Sequence, residues 1–145
     1  MSENVMDSSF ELQLMSPHSP LGALRVQSVK VEAWNGQIGI LPGHCDTVVR
    51  LSSGVAELVL ADSKETVYYY LGGGVLEVIS GVVYLLCELV QSTSEIDKSR
   101  AEEAEKRALE RLAQTTRRDI DIMRAQQALR RAQARKKLLE IDSSR

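Results

Sequence analysis

Apolar and polar side chains alternate in short runs through the first two thirds of the chain. Phe10, Leu12 and Leu14 are interleaved with Glu11 and Gln13, and Leu24 and Val26, then Val29 and Val31, form apolar pairs with Arg25 and Gln27 on the other face. A period of two puts the apolar members on one face of a half-buried strand. β-rich runs recur at 10–15, 23–31, 47–51, 55–60, 66–71, 75–79 and 82–89. Between them stand Pro17 and Pro20, Asn35-Gly36, Pro42-Gly43, Ser53-Gly54, Asp62-Ser63, Gly72-Gly73-Gly74 and Ser80-Gly81. Each breaker predicts a turn, the triple glycine a tight one. Short strands at this spacing predict a sandwich or barrel.

From Ser92 the period changes to that of a helix. Ser92-Thr93-Ser94-Glu95 has the form of a capping box, and Ser94 with Asp97 offers a second start. Ala101, Ala104, Ala108, Leu109 and Leu112 then form a narrow stripe above Glu102, Glu103, Glu105, Lys106 and Arg107. Gln114-Thr115-Thr116 interrupts it, and a second stripe runs through Ile120, Met123, Ala128, Ala132 and Leu138. The expected fold is therefore a two-part α+β chain: an N-terminal β-sandwich over residues 1–91 and a C-terminal antiparallel αα-hairpin over 92–145. Alanine stripes permit close packing but bury little apolar area, so the hairpin reads as a movable arm.

Composition sharpens this division. All nine glycines, all three prolines and all six aromatics of the 145 residues precede residue 85. Residues 1–94 hold 4 basic and 10 acidic side chains, and residues 95–145 hold 14 and 10, so the hairpin carries a positive field. The near-continuous apolar run Val82–Val90 is broken by Glu88 and is about half the ~20 residues of a membrane helix. The opening residues MSENVMD resemble neither a secretory signal nor a transit peptide, so the chain reads as cytosolic. Cys45 and Cys87 both lie in apolar surroundings and are expected to be buried thiols. His18 and His44 lack the spaced partners of a zinc site, and no P-loop or nucleophile elbow occurs, so neither a metal nor catalysis is expected. The charge pattern alone also allows an adaptor for a polyanion or an acidic protein. The basic tail has no aromatic to stack on bases, however, which argues against nucleic acid.

The segment Gly36-Gln37-Ile38-Gly39-Ile40-Leu41-Pro42-Gly43-His44, then Ser53-Gly54 and Gly72-Gly73-Gly74-Val75-Leu76-Glu77-Val78, closely resembles the epsilon subunit of F-type ATP synthases. The likeness continues through Val82–Leu86, Ile96–Ala101 and Asp119–Ala132, and so spans about Phe10 to Leu138. It implies the same two-part fold and a non-catalytic rotor subunit of the central stalk. The implied partners are the gamma subunit, the ring of c subunits and the alpha/beta catalytic head, with the membrane met only through the c ring. The implied location is the cytoplasmic face of a bacterial plasma membrane.

The resemblance also implies roles for particular residues. The loop carrying Gln37, Ile40, Leu41 and His44 would face the c ring or gamma. Gln37 stands where the family often has an acid, and His44 reads equally as a turn histidine bonded to nearby backbone. The hairpin would rise along gamma and block ATP hydrolysis. Arg117, Arg118, Arg124 and Arg130, with Arg131, Arg135, Lys136 and Lys137, would then be drawn to an acidic segment of beta. Ile96-Asp97-x-x-Arg100-Ala101 resembles a motif by which some bacterial members bind ATP, and Arg131 and Arg135 match the arginine pair that completes that site. No cofactor is required, and ATP would be a regulatory ligand. The family's acid just before the motif falls at Gln91, with Glu88 and Glu95 nearby. Asp97 reads as well as a helix cap.

Overall fold

Seven strands form in the computed structural model, which describes residues 8–18, 21–114 and 119–145; those at Gly36–Ile40 and Val90–Gln91 are not among the expected runs. The seven are β1 (Phe10–Met15), β2 (Gly22–Ala33), β3 (Gly36–Ile40), β4 (Thr47–Leu60), β5 (Thr66–Ile79), β6 (Val82–Cys87) and β7 (Val90–Gln91). Their order is β1-β6-β5-β4-β2-β3, with β7 on β5. β1 also pairs with β2, so the sheet closes on itself as a sandwich. The β1–β6 pairing is parallel and the other pairings are antiparallel. Alternate residues of each strand turn inward and form one core, including Leu12, Leu14, Val26, Val29, Val31, Ile40, Leu58, Leu76, Val78 and Leu85.

Two breakers expected to end strands do not. β4 and β5 run for 14 residues each, and their register continues from Thr47↔Val78 through Ser53↔Gly72 to Val59↔Thr66. The triple glycine therefore lies inside a strand. Gly74 shows why: its φ is +143°, and a Cβ there would overlap the Leu86 carbonyl oxygen and stand 2.8 Å from Cys87 Cα. At this point β5 changes partner, pairing with β7 at Tyr70 and Leu71 and with β6 from Gly74 onward.

The capping box at Ser92 closes a 3₁₀ turn over Thr93–Glu95 rather than the long helix, with the Glu95 carboxylate accepting from Ser92 N at 2.7 Å. Helix α1 (Lys98–Ala113) starts after Asp97, whose carboxylate accepts from Arg100 N at 3.1 Å. Helix α2 (Asp119–Ser143) returns antiparallel along it. Ala101 and Ala108 of α1 and Ala125 and Ala132 of α2 are buried, each pair seven residues apart on one helix face. Ala134 lies nine residues beyond Ala125, half a turn around the helix. That opposite face packs on the sandwich, where Ala134 and Leu138 meet Val55, Tyr70 and Ile96.

Three sequence expectations fail on this geometry. Leu109 is 48% exposed and Met123 59%, because the seam between the helices is narrower than the apolar stripes. The side chain of Ile120 and residues Thr115 and Thr116 lie outside the described residues. Cys45 is exposed, since it sits in the loop before β4, whereas Cys87 at the end of β6 is buried. Burial pushes the Cys87 thiol up to about 12.

Candidate functional site

Where β7, the 3₁₀ turn, α1 and α2 meet, they leave a cleft of about 240 Å³. Its lining brings together Ile96, Asp97, Arg100, Ala101 and Arg135, which the sequence motif singled out. Each has a local cause. Ile96 is buried in the cluster beneath α2 and anchors the segment. Asp97 caps α1 and so fixes the direction in which the helix leaves. Ala101 lies at the seam between the helices, where a larger side chain would push them apart. Arg135 is held from two sides: Nε donates to Gln91 Oε1 at 3.0 Å, and the guanidinium lies 4.4 Å from the centre of the Tyr70 ring.

Arg131 does not join this cleft. It lines a separate groove with the β5 glycines and Glu88, one turn earlier on α2, where the sandwich rather than α1 is the opposing wall. A third arginine of the cleft, Arg107, was missed by the motif. Its sequence signal is its place seven residues after Arg100 on the same helix face. Arg100, Arg107 and Arg135 thus share the cleft with Glu95 and Asp97, a balance that favours an anion. Gln91, where the family's acid would stand, also lines it.

The other expected contact residues divide by burial. Ile40 is fully buried, paired with Val29 and turned into the core, so it is not a surface contact; strand alternation carries it inward. Gln37 is exposed and Leu41 is 64% exposed. His44 is half-buried, its Nδ1 2.8 Å from the Cys45 carbonyl, the local backbone bond of a turn histidine. Asp46 ties this loop to the β5–β6 turn by accepting from Ser80 N at 2.9 Å. On α2, Arg124 and Lys137 are exposed, and Arg130 reaches back to Ser52 Oγ at 3.4 Å. Lys136 Nζ lies 3.0 Å from Glu105 Oε1, and that hydrogen bond raises the lysine above its ordinary range. Arg117 and Arg118 lie outside the described residues. Among the described residues, no group of three His, Cys, Asp or Glu could hold a metal, and no helix is long and apolar enough to cross a membrane.

A closed β-sandwich bearing a helical hairpin, with a cationic cleft at their junction, defines a binding and docking protein. Residues 9–92 match the family model "ATP synthase, Delta/Epsilon chain, beta-sandwich domain", and residues 94–140 match that of its long alpha-helix domain. The chain is 36% identical over 124 residues to the ATP synthase epsilon chain of Bacillus licheniformis, covering 86% of this chain and 92% of that one. It is 36% identical over 135 residues to the ATP synthase epsilon chain of Clostridium kluyveri, covering 93% and 100%. Among solved structures, a chain of the Euglena gracilis mitochondrial ATP synthase shares the fold at a TM-score of 0.78, with 21% identity and coverage of 96% and 86%. A chain from the central stalk and c-ring of the Tetrahymena thermophila enzyme does so at 0.67, with 12% identity and coverage of 89% and 95%. The chain belongs to the ATP synthase delta/epsilon family.

Proposed function

We propose that this chain is the non-catalytic central-stalk subunit of an F-type ATP synthase on the cytoplasmic face of a bacterial membrane. In this reading the sandwich docks on gamma and the c ring and helps couple proton-driven rotation to ATP synthesis. Its close-packed core suits the transmission of torque. The hairpin is the regulatory arm: folded down it is silent, and raised toward the alpha/beta head it inhibits ATP hydrolysis. The observation that carries the reading is the modest attachment of α2 to the sandwich: buried Val55, Tyr70, Ile96, Ala134 and Leu138, the partly buried Tyr68, Leu89, Leu139 and Ile141 around them, and the Arg135–Gln91, Arg130–Ser52 and Arg145–Thr66 bonds.

The cleft supplies the regulation. Its walls come from both parts of the chain, so a ligand held there favours the folded arm. ATP fits the donor set: Arg100, Arg107 and Arg135 would meet phosphate oxygens, and Ala101 and Ala104 leave room beside them. A ligand at ten times its Kd stabilises the folded arm by about 1.4 kcal/mol, a tenfold shift in the closing equilibrium.

The test is ATP hydrolysis by the cognate head with the full chain or a chain ending at Gln91. Inhibition by the full chain alone, relieved by ATP, is expected. If both bind gamma and neither inhibits, the regulatory assignment falls and the coupling role stands. If neither binds gamma, the stalk reading itself fails. Calorimetry at millimolar ATP that shows no binding removes ATP as the ligand.

A further inference from the structure

A second groove, of about 700 Å³, lies between α2 and the sandwich and shares no lining residue with the cleft above. Arg50 of β4 and Arg130 and Arg131 of α2 line it, together with Trp34 and Ser52. Glu88 is the one acid in its lining. Among the described residues none of the three arginines makes an ion pair, and Arg130 is held by the Ser52 hydroxyl at 3.4 Å. Trp34, the single tryptophan of the chain, is 68% exposed at the groove.

Three guanidiniums facing one carboxylate leave an uncompensated positive field in a concave site, where low-dielectric walls strengthen it. Arginine forks match phosphate oxygens in pairs, and an exposed indole beside them offers a flat face to a base. Gly72, Gly73, Gly74 and Val75 of β5 also line the groove. We infer that this groove binds a phosphate-bearing small anion, and that it does so with the hairpin folded. Arg50 belongs to the sandwich and Arg130 and Arg131 to the arm, so the anion bridges the two parts and relieves the repulsion between their like charges. The chain then has two closing sites, on different stretches of α2. This second site does not depend on ATP occupying the first.

Trp34 fluorescence of the full chain reports the site, with pyrophosphate and ADP as probes and calorimetry as a second readout. Saturable pyrophosphate binding is expected, weakened about tenfold by Arg50→Gln and by Arg130→Gln, the loss of one charge-assisted bond. Arg100→Gln, which alters the other cleft, should weaken it far less than either groove substitution, since the two sites communicate only through the shared closing equilibrium. Tighter binding of ADP than of pyrophosphate identifies a nucleotide stacked on Trp34, and equal binding identifies an inorganic anion; either supports the site. Circular dichroism confirms that the exposed substitutions leave the fold intact. Three results overturn the inference: no saturable change at millimolar pyrophosphate, loss of binding in Arg100→Gln but not in Arg50→Gln, or a polyglutamate peptide bound more tightly than pyrophosphate.

Discussion

Tyr70 sits at the base of the folded arm, and replacing it by phenylalanine tests how that arm is balanced. The residue is fully buried beneath α2, among Val55, Ile96, Ala134 and Leu138. Its ring supports the Arg135 guanidinium at 4.4 Å, yet its hydroxyl has no hydrogen-bond partner among the described residues. A buried unsatisfied hydroxyl costs about 1–3 kcal/mol. The cost belongs to the folded arm alone, because lifting α2 returns the hydroxyl to water. Tyr70→Phe keeps the ring, its buried area and the contact with Arg135, and removes the penalty. The folded arm should gain about 1–3 kcal/mol, or roughly 5- to 150-fold in its closing equilibrium. Amide hydrogen exchange across α2 reads this directly as slower exchange where opening is sub-global. In the assembled enzyme the same substitution should weaken inhibition of hydrolysis. Tyr70→Ala is the opposing control: it leaves a cavity worth about 3–5 kcal/mol and should free the arm. Unchanged or faster exchange in Tyr70→Phe would refute the reasoning, since the hydroxyl would then be satisfied through a bridging water whose loss offsets the gain.

Other perturbations follow from single contacts. Gln91→Glu turns the 3.0 Å bond to Arg135 into a charge-assisted one and should stabilise the folded arm by about 0.5–1 kcal/mol after screening, an effect that shrinks in high salt by the same exchange measurement. Gly74→Ala forces a Cβ against the Leu86 carbonyl at a φ of +143° and should cost about 2–4 kcal/mol in urea denaturation; an unchanged midpoint would mean β6 can shift away freely. A thiol reagent at pH 8 should label Cys45 in the native protein and Cys87 only on unfolding. Because burial raises the Cys87 thiol from 9.0 to about 12, the folded state holds that proton more tightly than the unfolded chain does. Its contribution to stability is therefore complete below pH 9 and lost between pH 9 and 12, a loss that Cys87→Ala should remove from the pH profile.

The sequence patterns that were legible are those set by a local rule. Strand alternation at Phe10–Leu14 named inward residues correctly, because a period of two fixes the face once one member is buried, and in β2 the register shift between Val26 and Ser28 brings Val29 and Val31 to the same inward face as Val26. The glycine breakers misled, because a glycine that ends a strand and a glycine that lets a strand bend against a neighbour look alike until the register is known. Ile40 was misassigned as a surface residue because β3, five residues long and bounded by glycine and proline, was read as part of a loop. The residues Ile96, Asp97, Arg100 and Ala101 of the motif all line the cleft, since Asp97, Arg100 and Ala101 lie within one turn at the cap and start of α1. Arg107 was invisible to the motif, and Arg131, brought in by its match to the family's arginine pair, lines the neighbouring groove. Spacing along α2 cannot say which neighbour, α1 or the sandwich, faces a given turn.

That ambiguity is the physical character of α2. A helix with one apolar face has one partner, whereas α2 spends Ala125 and Ala132 on α1 and Ala134 and Leu138 on the sandwich, leaving neither face wide. Toward the sandwich, burying Leu138 contributes about 1.5–3 kcal/mol, and the Tyr70 hydroxyl takes back about 1–3. Polar contacts around the cluster add to that footing: the Arg135–Gln91 bond, the Arg130–Ser52 bond at 3.4 Å and the pairing of Arg145 with the Thr66 carbonyl at 2.9 Å. Each of these is worth about 1 kcal/mol, the same size as the free energy a ligand delivers near ten times its Kd. A strongly latched arm would ignore such a ligand, and an arm with no apolar footing would never settle on the sandwich. Widening the footing alone, by Ala134→Leu at the edge of the cluster, should therefore either overpack the site and release the arm or fix it down beyond the reach of ATP. In both cases ATP dependence of inhibition should disappear while binding to gamma persists, and its survival would show that the balance is set elsewhere.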